Sequence, residues 1–402
     1  MLFWAGAIFA LALLHLAPLP PVLWKSLSGL QVVVDVEKLL GLGDRFIPLT
    51  IAPMNGWHSV FSLFTPLAVV LLGLQLNRND LFRVLPLLIA IAGLSGLFGI
   101  SQTMGDPQGV LYFYLITHKG SAVGLFANRN HAATLLACLF PMLAVYASMA
   151  RGKADGIRMG HLIAATTAIV LVPLILVTGS RSGLIAGAIG LLAASVLYSP
   201  PRNLAETRRG TTRRFKALPI LSGLCVIGLA YLTYFLSRAE AIERFQLFAV
   251  SSPADSRAEF LIVSLDLFRS YFPWGSGSGS FVEAYQIAEP NRLIDATYLN
   301  RAHNDWVETA VTFGLPGVFA LTLAVIGFGI HSFRLWRSEN EGKRSVIFGR
   351  LASVIIALIA VASVSDYPLR TPIMMGVFAI CGLWLTDSGR ERSATAGSIK
   401  EV

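Results

Sequence analysis

The sequence predicts an all-α fold, a polytopic bundle of about ten transmembrane helices carrying a helical cap on its outer side. Three observations predict it. Of 402 residues, 54% are hydrophobic and only 14% charged, with a mean hydropathy of +0.65. A soluble domain carries about a quarter charged residues, so too few polar side chains remain here to cover a water-facing surface of this size. The apolar residues also gather in runs close to the roughly 20 residues that a bilayer-crossing helix needs. Finally, the positive charge falls in short connections on one side of those runs, as membrane topology requires.

Ten runs qualify as spans: 2–17, 59–76, 84–103, 131–150, 162–179, 183–199, 217–236, 306–331, 346–363 and 371–386. The first has neither a charged leader region nor a small-residue cleavage site, and reads as a span rather than a removed signal. Residues 18–58 hold a further apolar stretch broken by Pro18, Pro20 and Pro21, and read as re-entrant or interfacial. With the N-terminus in the cytoplasm, the connections 77–83, 151–161, 200–216 and 332–345 and the tail after 386 are cytoplasmic, so both termini lie inside. These are the basic segments: Arg202 to Lys216 holds six Lys and Arg against one Glu. Segments 18–58, 104–130 and 237–305 fall outside and are much less densely positive. Residues 1–402 therefore form one membrane domain.

The outer segment 237–305 is the sizeable extramembrane part. Ser252, Pro253 and Asp255 make a helix start, with Ser at the cap, Pro in the first turn and an acid behind it. Arg257 to Tyr271 mixes apolar and charged residues as a helix at a membrane surface does. Pro273-Trp274-Gly275-Ser276-Gly277-Ser278-Gly279 ends it.

Net charge is +9, but no basic stripe interleaved with aromatics accompanies it, so nucleic acid is excluded as a partner. Cys138, Cys225 and Cys381 lie in apolar runs without CxxC spacing, which argues against a disulfide framework or a zinc site. No phosphate-binding GxxxxGK[ST] is present, and Gly275-Ser-Gly277-Ser-Gly279 lacks the strand-to-helix setting of a dinucleotide loop. Asp35-Val-Glu37 is the nearest approach to a metal-binding pair and is weak evidence for one. The reading is of chemistry without metal or cofactor.

Four polar places at outer helix ends could do chemistry at the membrane surface. Asn128 and Asn130, with Arg129 and His131, stand at the mouth of the fourth span; they fit sugar hydroxyls or phosphate, and equally an interfacial helix cap. Thr178-Gly179-Ser180-Arg181-Ser182-Gly183 is an abrupt outer turn whose Arg181 fits a phosphate bidentately, or snorkels from a helix end. Arg257, near a helix N-terminus, suits an anion, or an ordinary salt bridge to Asp255 or Glu259. Arg301-Ala302-His303-Asn304-Asp305-Trp306-Val307-Glu308 leads into the eighth span and sets a proton-transferring histidine beside carboxylates. The last outer connection adds Asp366, Tyr367 and Arg370. His15, His161 and His331 lie in apolar runs or on the cytoplasmic side and read as structural.

Taken in order, F-x-N-x-N, S-R-S-G, an Arg some sixteen residues before P-x-G-x-G-x-G-x-F, and H-N-D-W-x-E-x-x-x-x-x-G-x-x-G resemble the O-antigen ligase and O-antigen polymerase superfamily. Its Wzy_C-type core region would cover 165–325, including the periplasmic segment 237–305. The resemblance implies a helical membrane glycosyltransferase of the bacterial inner membrane, acting at the periplasmic face. Its donor would be a glycan on undecaprenyl diphosphate, and its acceptor lipid A-core or a growing glycan. Arg181 and Arg257 would hold the diphosphate and His303 would sit at the catalytic centre. Asn128, Asn130, Asn304, Asp305 and Arg370 would bind substrate or orient the histidine. Members commonly carry more spans than the ten counted here. The ligase reading leads; a polysaccharide polymerase of the same superfamily, or a transporter of lipid-linked sugars, are the alternatives. The near absence of charge within the spans speaks against a transport path.

Overall fold

A computed structural model of the chain describes residues 2–106, 108–149, 159–199, 253–294, 299–338 and 343–400. These are overwhelmingly helical. Six helical stretches are long and apolar enough to cross a membrane: Pro53–Gln75, Arg78–Met104, Arg129–Met149, Gly160–Val177, Asp305–Trp336 and Arg344–Ala362. Leu2–Leu14, Arg181–Leu197 and Pro372–Ser388 are shorter apolar helices at three further expected spans. The expected span 217–236, the basic connection 200–216, residues 237–252 and most of 151–161 lie outside the described residues, as does Cys225.

Several boundaries differ from the hydropathy runs for identifiable reasons. The span expected at 84–103 belongs to a helix that starts at Arg78, because the Asn77 side chain accepts the Asp80 amide at 3.0 Å and caps a polar first turn. The last helix continues from Pro372 to Lys400, well past 386: polarity ends a span, not a helix. The segment 18–58 folds into short elements, including the two-residue strands Pro18–Leu19 and Ile47–Pro48, paired antiparallel with Leu19 opposite Ile47.

The run at 306–331 differs most. Asp305–Trp336 is two helices meeting at Gly314, whose φ of 56° and ψ of −148° are not helical. The sequence makes the break. Pro316 has no N–H for the Thr312 carbonyl four residues back. That carbonyl instead accepts the Gly277 amide at 3.0 Å, Val311 accepts Ser276 at 2.9 Å, and the Leu315 amide donates to Pro273 at 2.7 Å. These three backbone groups freed by the break find partners on the 273–277 strap.

Contacts divide the chain into two units. One comprises Met1–Leu71, Phe248–Ile330 and Ser363–Tyr367. Within it α1 (Leu2–Leu14) packs with α4 (Pro53–Ser62), while α2 (Pro21–Trp24) and α3 (Gln31–Leu39) precede α4. Its core joins Trp24 and Leu30 to Val263, Leu267 and Tyr271 of the helix Pro253–Ser270, and to Phe281, Ala284 and Tyr285 of Phe281–Ala288. Trp24, Phe281 and Tyr285 are completely buried, and burial of such a side chain stabilises by about 1.5–3 kcal/mol.

The other unit comprises Leu72–Leu247, His331–Ala362 and Pro368–Val402. Arg129–Met149 is its central helix, buried on nearly every side. Arg181–Leu197 approaches it so closely that a Cβ on Gly183 would stand 2.2 Å from the Ala133 Cβ, and one on Gly190 2.5 Å from the Ala137 carbonyl. Small residues at such contacts let apolar helices gain dispersion energy where water supplies no hydrophobic drive. Phe82, Phe348 and Trp384 interlock at the other end, with ring centroids 4.4 and 5.0 Å apart and the indole N–H donating to the Leu81 carbonyl at 3.0 Å.

Candidate functional site

The first unit builds the site around His303. Each neighbour in the H-N-D-W-x-E motif has a structural task. The Asn304 side chain accepts the amides of Trp306 and Val307 at 3.0 and 3.1 Å, capping the helix that begins at Asp305. The Asp305 amide donates to the Ser363 carbonyl at 2.9 Å, and the Ser363 hydroxyl to the Asp305 carboxylate at 3.3 Å. Glu308, 1% exposed, accepts from the Arg301 guanidinium and the Ala302 amide, both at 3.0 Å. The loop entering the helix is thus pinned from behind and ahead.

His303 itself is left for something else. Its φ is 49°, and it is the one non-glycine residue with positive φ among the described residues. Its side chain is 27% exposed, with Nδ1 3.4 Å from an Asp366 carboxylate oxygen and its ring 5.3 Å from that of Tyr367. Nδ1 makes no hydrogen bond among the described residues; the separation is slightly long for one. Asp366 is almost fully buried and accepts the Tyr367 amide at 3.0 Å. A histidine facing a buried carboxylate, with the rest of its motif spent on holding the loop, is the arrangement of a base and its orienting group.

Arg257 lies on the helix Pro253–Ser270, near its N-terminus; its side chain is outside the described residues. Glu259, one of its considered partners, lies 3.4 Å from Arg292. Asp35 accepts from Gln31, and Glu37 pairs with Arg45. Among the described residues no cluster of three or more His, Cys, Asp and Glu could hold a metal ion.

The second unit holds the other residues singled out by sequence. Asn128 and Asn130 are buried, and the Asn128 side chain accepts the Asn130 amide at 2.8 Å, a local turn that opens the helix Arg129–Met149. Arg181 is the first residue of Arg181–Leu197, after a cap in which Ser180 accepts the Gly183 amide at 2.9 Å. Its side chain is exposed, and no hydrogen bond or ion pair engages it among the described residues. A guanidinium of Arg129 stands 3.4 Å from where a Gly179 Cβ would be, so two arginines flank this turn. Arg370 is half-buried, in the 3-10 turn Pro368–Arg370 that packs on Arg129–Met149.

Sequence reasoning named Glu308 as the end of the motif and Asp366 as a residue of the last outer connection, without a role for either. Glu308 carries a readable signal, since it stands five residues after His303 and so in the first turn of the following helix. Asp366 has none, because it reaches His303 from 63 residues away.

Residues 165–322 match the family described as O-antigen ligase. The match supports membership of the O-antigen ligase and polymerase superfamily. Together with the long apolar helices, the match supports a membrane enzyme of the ligase or polymerase type. The matched superfamily region contains Arg181, Arg257 and the whole of Arg301–Glu308, and excludes Asn128, Asn130, Asp366 and Arg370. No curated protein matches the chain.

Proposed function

We propose that this protein is a ligase that transfers a glycan from undecaprenyl diphosphate to a hydroxyl of lipid A-core at the periplasmic face of the inner membrane. The observation that carries the reading is His303, held in a strained conformation 3.4 Å from buried Asp366 inside a loop fixed by the rest of its motif. In the proposed reaction the acceptor oxygen attacks the anomeric carbon, and the bond from that carbon to the diphosphate oxygen breaks. His303 takes the hydroxyl proton and Asp366 orients the ring and balances the charge it gains. The lipid diphosphate leaves with its electron pair, stabilised by the charges of Arg181 and Arg257, which do the work a metal ion would otherwise do. Asn128, Asn130, Asn304, Asp305 and Arg370 support the substrate or the loop. The chain works as one membrane domain of ten spans with both termini in the cytoplasm, its core at 165–325 and its cap at 237–305.

The test is surface-glycan profiling of a deletion strain complemented with wild type, His303→Ala, Arg181→Ala or Arg257→Ala. Wild type restores capped lipopolysaccharide and the normally expressed variants do not. Loss of long polymer with single-unit capping retained would assign a polymerase instead. Variants as active as wild type would sink the catalytic assignment and favour a transporter.

A further inference from the structure

We propose that the outer loop 108–127 carries a glycan-binding subsite, built on Tyr112, Phe113 and Tyr114 with Gln108 and Lys119 at its polar edge. The proposal rests on the outer-face transfer reading above and names where the sugar is gripped. These side chains line a pocket of about 330 Å³, at the small end of ligand pockets and sized for a sugar residue rather than an oligomer. Phe113 and Tyr114 are 53% and 46% exposed, and Lys119 Nζ donates to the Gln108 amide oxygen across the polar edge. A pyranose presents an apolar C–H face and a rim of hydroxyls. Aromatic rings answer the first, and an amide beside an ammonium answers the second. An acyl chain would use the rings alone and leave the polar edge without a task.

The loop is ordered before any ligand arrives. Gln102, 1% exposed, donates to the carbonyls of Leu111 and Gly124 at 2.8 and 2.9 Å and accepts the amides of Val123 and Gly124 at 3.1 and 2.8 Å. The Tyr112 hydroxyl accepts the Gly120 amide at 2.9 Å and lies 3.2 Å from the Gln102 carbonyl. Phe113 meets Phe98 edge-on at 5.4 Å. A loop so tied that still exposes two aromatic rings has already met the ordering cost of binding. The same loop leads to the Asn128–Asn130 mouth: Thr117 and His118 donate to the Ala127 carbonyl at 2.9 and 3.1 Å, and His118 Nδ1 accepts the Arg129 amide at 3.3 Å.

The experiment uses the full chain in nanodiscs and, as probe, the oligosaccharide released by mild acid from the host's own lipid carrier. Thermophoresis reads binding, and melting confirms that each variant is folded. Wild type and Gly41→Ala, whose added Cβ would meet nothing within 4 Å, bind equally. Tyr114→Ala and the double variant Gln108→Ala/Lys119→Ala bind about tenfold more weakly, roughly the loss of one aromatic or paired polar contact, and Tyr114→Phe restores binding. Folded variants that bind like wild type overturn the subsite and leave the transfer reading intact. A wild type that binds no oligosaccharide overturns the subsite alone if it still restores surface glycan in cells, and both readings if it does not. Bimane on Phe113→Cys, in a Cys225→Ala background, quenched by brominated phosphatidylcholine would also overturn it, by showing acyl chains at the rings.

Discussion

His303 holds a φ of 49°, which glycine adopts freely and a side-chain-bearing residue at a cost of about 1–3 kcal/mol. The strain gives a test that separates catalysis from folding. His303→Gly relieves the backbone while deleting the imidazole, so it should melt no lower than wild type and yet lose transfer by about 10²–10⁴-fold, the range of a general base. A substitution that lowers activity only through misfolding would show the reverse order, a lower melting temperature with activity in proportion. Asp366→Asn, which keeps the shape and removes the charge facing Nδ1, should fall on the same activity line without a large melting change. How much of this site was readable follows from the same residues. H-N-D-W-x-E is contiguous, so local spacing revealed His303 and its capping neighbours. Asp366 arrives from another connection, and only the folded chain brings it within 3.4 Å. The role of Glu308 as anchor of Arg301 and Ala302 likewise needed burial, which a charged residue in a short motif does not advertise.

At the scale of elements, the glycine-rich strap 273–280 is a joint and not a ligand loop. Gly275, Gly277 and Gly279 have φ of 85°, 99° and 77°, and Ser276, Ser278 and Ser280 are fully buried. The Ser278 amide donates to His15 Nδ1 at 3.1 Å and its carbonyl accepts the Thr50 hydroxyl at 3.0 Å, so His15 is structural for a reason that its apolar surroundings did not reveal. A Cβ on Gly277 would stand 2.2 Å from the Thr50 Cα, whereas one on Gly41, at a φ of 69°, meets nothing within 4 Å. Gly277→Ala should therefore cost about 3 kcal/mol or more and Gly41→Ala only about 1 kcal/mol, read as melting temperatures in detergent. Equal shifts would mean that the strap is not packed as described. The core of the first unit offers a second test. Burial pushes the Tyr285 hydroxyl up to about 12, with Glu289 and Glu259 adding to the effect, and the hydroxyl has no hydrogen-bond partner among the described residues. Its folded value lies above the usual value of about 10, so its contribution is intact below pH 10 and lost as pH rises toward 12. Tyr285→Phe should leave stability at neutral pH unchanged or slightly higher and flatten the alkaline decline; a steeper decline would contradict the burial. Apolar runs located these helices well because the bilayer demands length and hydropathy, but the break at Gly314 was hidden inside one such run. Its cause is the hydrogen-bonding of a strap some 40 residues upstream.

For the whole molecule, the proposed chemistry depends on sidedness, and sidedness depends on the parity of the spans. Arg181 follows the fifth apolar run and His303 precedes the eighth, with the sixth and seventh runs, 183–199 and 217–236, between them. Two crossings in that interval return the chain to the side on which Arg181 stands; one crossing would place the arginine and the histidine on opposite faces, where they could not serve one diphosphate-linked sugar. Arg181–Leu197 is a short apolar helix, and 217–236 lies outside the described residues, so the charge pattern carries the argument. In the proposed topology the six cations of 202–216 against a single Glu would hold that connection in the cytoplasm, and returning outward from there would take the run 217–236. Alkaline phosphatase fused after residue 120 or 290 should be active and after residue 80, 205 or 338 inactive, with a cytoplasmic reporter giving the opposite pattern. Activity at 120 without activity at 290 would remove one crossing and end the proposal that Arg181, Arg257 and His303 share a substrate. Neutralising Arg208, Arg209, Arg213 and Arg214 together should weaken the anchor and raise phosphatase activity at 205, because topology follows the charge bias of short connections near span ends.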